Sequence, residues 1–159
     1  MQVTNRTMVL SSGGTSSVRL PVGGPHSFEV FAGFDFDVTD LPGLAVADEV
    51  VAHFNSTSPA AQILIRPGST AGTFALGVRN GTTGAATFIN RDYLRNRLYR
   101  AVLRWNVGTR TATLFVDDPF LVGQTSPNTV NNGLHSGTPD VADLAFRQTF
   151  GMGRIEVPT

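Results

Sequence analysis

Apolar residues recur at every second position along much of the chain. In SFEVFAGFDFDV, residues 27–38, Phe28, Val30, Ala32, Phe34, Phe36 and Val38 alternate with Glu29, Phe31, Gly33, Asp35 and Asp37. A period of two is the pattern of a strand with one buried face, so the even-numbered residues are expected in the core. The stretch LYRAVLRWNVGTRTATLFVDD, residues 98–118, carries the pattern twice, on either side of a turn. A two-residue loop at Gly108-Thr109 would set Val107 opposite Arg110 and fix the register of the whole hairpin. Trp105, Leu103 and Ala101 then share a face with Ala112, Leu114 and Val116. The other face pairs Arg104 with Thr113, Val102 with Phe115 and Arg100 with Asp117.

Shorter runs of the same kind are VTNRTMVL, SVRLPV, DEVVAHFN, AQILIRP, TFALGVRN, AATFI, DLAFRQTF and GRIEV. With the hairpin they predict about ten or eleven strands. Turn signals at Pro42-Gly43, Pro67–Gly72 and Asn80–Gly84 separate them. Helix has support only in NRDYLRNRLY, where Asn90 could cap one turn, and at most a turn is expected there. Residues 118–140 form a long polar stretch expected to be a loop. So many short strands with one strong alternation each predict an all-β, antiparallel two-sheet sandwich, with a barrel as the alternative. The expected core is Phe28, Val30, Phe34, Phe36, Leu76, Leu103, Trp105 and Leu114.

A chain of 159 residues suits a single domain spanning 1–159. Its 12 basic and 12 acidic residues cancel, which removes the global field that a nucleic-acid partner needs. Every basic residue is arginine, so Schiff-base and Walker-type lysine chemistry is excluded, and recognition falls to bidentate hydrogen bonding or stacking. Without cysteine there is no disulfide and no thiolate nucleophile. No apolar run approaches the ~20 residues that span a bilayer, and residues 1–30 lack the layout of a secretory signal. No membrane insertion is expected. An extracellular or cell-surface location would need a signal that was removed or that sits on a larger polypeptide.

The order AAQILIRPGSTAGTFALGVRNG, LYRAVLRWNVGTRTATLFVDDP, a polar loop, then DVADLAFRQTFGMGRIEV resembles the concanavalin A-like and laminin-G-like sandwich domains of exported bacterial proteins. The resemblance covers roughly 27–157. It rests on the tyrosine-aromatic strand leading into a TLFV strand, and on the Arg147-Gln148 pair near the end. Residues 1–22 have no counterpart in that family and are read as extra N-terminal strands; a sorting tail after Thr159 is also missing from the pattern.

The resemblance implies a jelly roll. It also raises a glycanase reading, which requires two carboxylates across the sugar, placed in such relatives as Glu-x-Asp-x-x-Glu. Glu29, Glu49 and Glu156 do not match that spacing, and Asp35 with Asp37 is the nearest substitute, so no enzyme is expected. No cofactor is expected either. If calcium binds, the Asp117-Asp118 corner is its place, with Asp35, Asp37 and Asp40 as further oxygen donors. His26, His53 and His135 make no zinc motif and are expected in loops or at the surface. Arg66, Arg79, Arg100 and Arg104 each point outward from a strand. If those strands are neighbours, the four form a ribbon beside Phe115 and Tyr93 that suits sugar rings or acidic glycans. The expected function is a non-catalytic carbohydrate-binding or adhesion module, contacting a glycan or protein at a cell surface or in the extracellular matrix. The alternative is a self-assembling structural subunit, of a virion shell or its decoration or of an extracellular filament, which the low charged fraction of 15% also fits.

Overall fold

The computed structural model describes residues 2–4, 7–10, 17–40, 48–55, 58–117, 128–131, 140–147 and 155–158. Within them the strands are β1 (Gln2–Thr4), β2 (Thr7–Leu10), β3 (Ser17–Pro21), β4 (Glu29–Val38), β5 (Glu49–Asn55), β6 (Pro59–Pro67), β7 (Thr73–Asn80), β8 (Thr87–Leu94), β9 (Tyr99–Asn106), β10 (Thr111–Asp117), β11 (Asn128–Asn131), β12 (Asp143–Arg147) and β13 (Ile155–Pro158). A seven-stranded sheet runs β1-β2-β13-β4-β9-β10-β11, and a six-stranded sheet runs β3-β12-β5-β6-β7-β8. The chain is all-β, and both sheets are antiparallel. The strands number thirteen among the described residues, because VTNRTMVL folds as the hairpin β1–β2 and the polar stretch after Asp117 contributes β11.

The core lies between the sheets. From one side come Val30, Phe36 and Val38 of β4, Ala101, Leu103 and Trp105 of β9, and Ala112, Leu114 and Val116 of β10. From the other come Ile63 and Ile65 of β6, Phe74, Leu76 and Val78 of β7, and Ile89 and Tyr93 of β8. Phe36, Phe74, Tyr93 and Tyr99 form one aromatic cluster, with Tyr99 edge-on to Tyr93 at 5.2 Å and to Phe74 at 5.9 Å. The Tyr99 hydroxyl donates to the Leu94 carbonyl at 3.2 Å and accepts the Leu94 N–H at 2.9 Å, which satisfies a polar group inside an apolar cluster. At the opposite end, buried Asn131 of β11 reaches across to the other sheet. Its amide donates to Ala85 O at 3.1 Å and Thr87 Oγ1 at 3.0 Å, while its oxygen accepts the Asn80 N–H at 3.2 Å.

The β9–β10 register pairs Trp105 with Ala112, Arg104 with Thr113, Val102 with Phe115 and Arg100 with Asp117, as the apolar alternation predicts. The ladder ends at Asn106–Thr111, so the connection is a four-residue turn, not a two-residue loop. Arg110 takes the left-handed conformation (φ 55°) and the Asn106 side chain accepts the Thr109 N–H at 2.8 Å.

Three expectations are corrected. Phe28 is 81% exposed, not in the core: β4 starts at Glu29, and Phe28 lies in a bend whose carbonyl accepts the Val107 N–H at 2.7 Å, so strand alternation no longer sets its direction. Phe34 is half-buried, with its ring edge-on to Phe146 at 4.9 Å. Residues around Asn90 form no turn but continue β8, because Ile89 and Tyr93 are core residues; the chain reverses only near Asn96 (φ 57°). The N-terminal strands β1, β2 and β3 join the sheets through β13 and β12, and Val102 and Phe115 stay partly exposed.

Candidate functional site

Cross-strand pairing places residues in rows on the outer face of the six-stranded sheet. One row spans five strands: Arg19 of β3, Ala145 of β12, His53 of β5, Gln62 of β6 and Arg79 of β7. The next runs Val50, Leu64, Gly77 and Phe88. A third holds Arg66, Ala75 and Asp92. Leu64 alternates with core Ile63 and Ile65, so it faces away from the core, yet it is 0% exposed. Larger groups therefore cover it. Gly77 beside it admits the Phe88 ring: a Cβ there would lie 2.8 Å from Phe88 Cδ1. The Arg66 guanidinium stacks on Phe88, 3.8 Å from the ring centroid.

Arg66, but not Phe88, belongs to the wall of an open cleft of about 610 Å³ lined by Arg66, Pro67, Gly68, Ser69, Ala75, Ile89, Asn90, Arg91 and Asp92. Its rim is held by Asp92. One carboxylate oxygen accepts the Ser69 N–H at 2.7 Å, the Ser69 hydroxyl at 2.5 Å and the Thr73 hydroxyl at 3.3 Å. These bonds, led by the Ser69 hydroxyl, hold the Asp92 carboxyl below its usual value and tie the 68–72 turn to β8. Gly68 is required by the same closeness, since a Cβ there would meet Thr73 Oγ1 at 2.1 Å and Asp92 Cγ at 3.0 Å.

Deeper along the face, Gln62 Oε1 accepts Arg79 Nε at 3.0 Å and Nη2 at 2.6 Å. His53 is 6% exposed on β5 and not at the surface or in a loop as its sequence context suggests. Burial pushes its pKa down to about 4, with Arg147 and Arg19 adding to the effect and Asp143 opposing it. His26 bonds Asp140 through both its N–H and its ring, and His135 lies outside the described residues.

The four outward arginines do not form one ribbon. Arg66 and Arg79 lie on the six-stranded sheet. Arg100 and Arg104 lie on β9, on the outer face of the other sheet, together with Phe115. There each arginine has a carboxylate on β4: Arg100 is 3.8 Å from Asp35, and Arg104 hydrogen-bonds Glu29. That bond, with a second from Asn106 at 3.0 Å, keeps the Glu29 carboxyl below its usual value. Tyr93 is a core residue and cannot flank a ligand. Asp117 sits opposite Arg100, and Asp118 lies outside the described residues; among those described, no three His, Asp or Glu side chains gather as a metal site. Asn90 and Asp92 line the cleft, and the sequence reading passed over both as candidate site residues. Gly77 inside an apolar strand was the available signal, because such a glycine marks close approach of another group.

No protein-family model matches the chain, and neither does any curated protein. Solved structures do. A bifunctional GH43-CE protein of Bacteroides eggerthii is similar with a TM-score of 0.59 at 10% identity over 98% of this chain, which spans 20% of that protein. Peanut lectin, solved with a 9mer peptide, is similar with a TM-score of 0.55 at 9% identity, covering 99% of this chain and 90% of the lectin. The CBM2 module of an evolved Dit from a Lactobacillus casei phage gives a TM-score of 0.54 at 12% identity, covering 99% and 89%. At such identities the likeness is one of architecture. Two packed antiparallel sheets, no helix among the described residues, and these neighbours together make the fold a concanavalin A-like β-sandwich, a jelly roll.

Proposed function

We propose that the chain is a non-catalytic carbohydrate-binding module that acts at a cell surface or outside the cell, and that it holds a sugar in the cleft between Arg66 and Asp92. The observation that carries this reading is an open cleft walled by Arg66, whose guanidinium is held in place by its stack on Phe88, with Asn90, Arg91 and Ser69 lining the same space. Sugars present apolar ring faces edged by hydroxyls, so a flat, fixed guanidinium beside Ile89, Pro67 and further amide and guanidinium donors matches their chemistry. Two of the similar folds are a lectin and a CBM2 module, which supports the same reading. Asp92 is a clamp for the 68–72 turn and not a hydrolytic acid: its carboxylate is engaged by Ser69 and Thr73. A glycan array followed by calorimetry tests the proposal. Wild type should bind at least one glycan class, and Arg66→Ala and Phe88→Ala should each weaken binding by about tenfold or more with unchanged circular dichroism. A wild-type chain silent on the array, or two variants with wild-type affinity, refutes it.

The opposite face favours a second reading, self-association as a structural subunit. Phe28 at 81% and Phe31 at 57% exposure lie near the Val107–Arg110 turn and β9, and Val130 of β11 is exposed on the same face as Phe31. Light scattering separates the readings: a concentration-dependent oligomer lost in Phe31→Ser supports assembly, and a monomer at all concentrations removes it.

A further inference from the structure

The cleft owes its shape to an irregularity of β8. Ala75 pairs with Asp92 and Gly77 with Phe88, so Ile89, Asn90 and Arg91 stand against the single residue Leu76 of β7. A bulge bends its strand and re-aims the side chains it carries. This one sets Asn90 and Arg91 on the same cleft as Arg66 of β6. Between Arg66 and Asp92 in their cross-strand row stands Ala75, which adds only a methyl group, and β8 is the last strand of its sheet, so no further strand pairs with the bulge.

The charges on this cleft are unequal. Arg66 is exposed and lies on the Phe88 ring, 3.8 Å from its centroid, and no carboxylate of the described residues comes within ion-pair distance of it. A guanidinium that stacks by its face keeps its N–H edge in the plane, and that edge is a fork matching two oxygens of one anionic group. Arg91 adds a second cation to the lining. The lining has one acid, Asp92, and its Oδ2 already accepts the Ser69 N–H, the Ser69 hydroxyl and the Thr73 hydroxyl. On the opposite sheet, by contrast, both β9 arginines meet carboxylates of β4.

Building on the carbohydrate reading, on which this inference rests, we propose that the sugar held in the cleft carries an oxyanion, carboxylate or sulfate, which Arg66 grips through its N–H edge with Arg91 as the second cation. Asn90 is then left for hydroxyls of the same sugar.

The test is calorimetry of the purified chain with three oligosaccharides of one backbone: uncharged, uronate-bearing and sulfated. Wild type should bind at least one acidic form about tenfold more tightly than the uncharged one, and raising salt from about 50 to about 500 mM should shrink that ratio. Which acidic form binds more tightly identifies the substituent. Arg66→Gln and Arg91→Gln should each bring the ratio down to about one, whatever they do to affinity as a whole, and either variant suffices if the other is poorly folded. Arg100→Gln with Arg104→Gln, on the opposite sheet, should keep the wild-type ratio. A ratio that survives in both cleft variants, or that falls as far in the opposite-sheet variant, overturns the proposal, because the anion would then be held elsewhere or by the field of the whole molecule. Equal or tighter binding of the uncharged oligosaccharide by wild type also overturns it and leaves the carbohydrate reading standing, whereas failure of all three ligands defeats both.

Discussion

At Gly77 a Cβ would lie 2.8 Å from Phe88 Cδ1 and 2.9 Å from the Thr87 carbonyl oxygen. Glycine in a strand interior ordinarily costs stability relative to alanine, because it has more freedom to lose. If the space were free, Gly77→Ala would therefore stabilise the protein. The contact reverses the sign: the variant should be less stable by about 1–3 kcal/mol in urea denaturation, and should weaken sugar binding as the ring shifts under Arg66. A stabilised variant would show that Phe88 does not rest on this position. His53 supplies a second prediction at this scale. Its folded pKa of about 4 lies below its ordinary 6.5, so the unfolded chain binds the proton more readily. The stabilising contribution is complete above about pH 6.5 and is lost as pH falls toward about 4, at up to roughly 1.4 kcal/mol per pH unit for one proton. Denaturation at pH 7 and pH 4.5 should show this acid loss in wild type and a flatter profile in His53→Gln. Parallel profiles would assign the loss to other groups.

The β9–β10 hairpin and the β8 edge show which elements can be read from sequence. In the hairpin every second residue from Tyr99 to Trp105 is apolar and buried, and the matching residues of β10 answer them, so a one-residue slip would expose the whole set. In β8, core residues Ile89 and Tyr93 are separated by Asn90, Arg91 and Asp92 and by a register shift against β7, which breaks the period that would identify a strand. The cleft was illegible for the same reason, since half of its wall is β8. The 68–72 turn depends on that wall. Asp92→Ala removes three acceptor contacts at once, and because nearby hydroxyl and amide donors favour the ionised form, the clamp should persist through mild acid in wild type. Hydrogen exchange should therefore accelerate at Ser69 to Thr73 in Asp92→Ala while β9 and β10 keep their protection. Faster exchange across the entire molecule would instead make Asp92 a global determinant of stability.

At the scale of the whole molecule, the proposed binding depends on which arginines share a side, and that is set by sheet order. Outward alternation marks Arg66, Arg79, Arg100 and Arg104 equally well. Only the long-range pairings of β4 with β9 and of β12 with β5 reveal that they belong to two opposite faces, one balanced by Asp35 and Glu29 and the other left in positive excess. The two faces should respond differently to the same chemical change. Arg100→Ala with Arg104→Ala removes cations that already have partners at a solvent-exposed surface, where such pairs contribute little to folding. That double variant should keep wild-type glycan affinity and become less attractive to acidic ligands only through its lower total charge, an effect that salt near 0.15 M screens within about 8 Å. Arg66→Ala with Arg79→Ala removes the ring-stacked cation and the partner of buried Gln62, so it should lose glycan binding by about tenfold or more at the same salt and also lower stability by about 1–3 kcal/mol, because the Gln62 oxygen is left unpaired. Both variants carry the same net charge, which makes the comparison a test of position alone. Equal loss in the two would mean that the field of the whole molecule, and not the outer face of the six-stranded sheet, attracts the ligand.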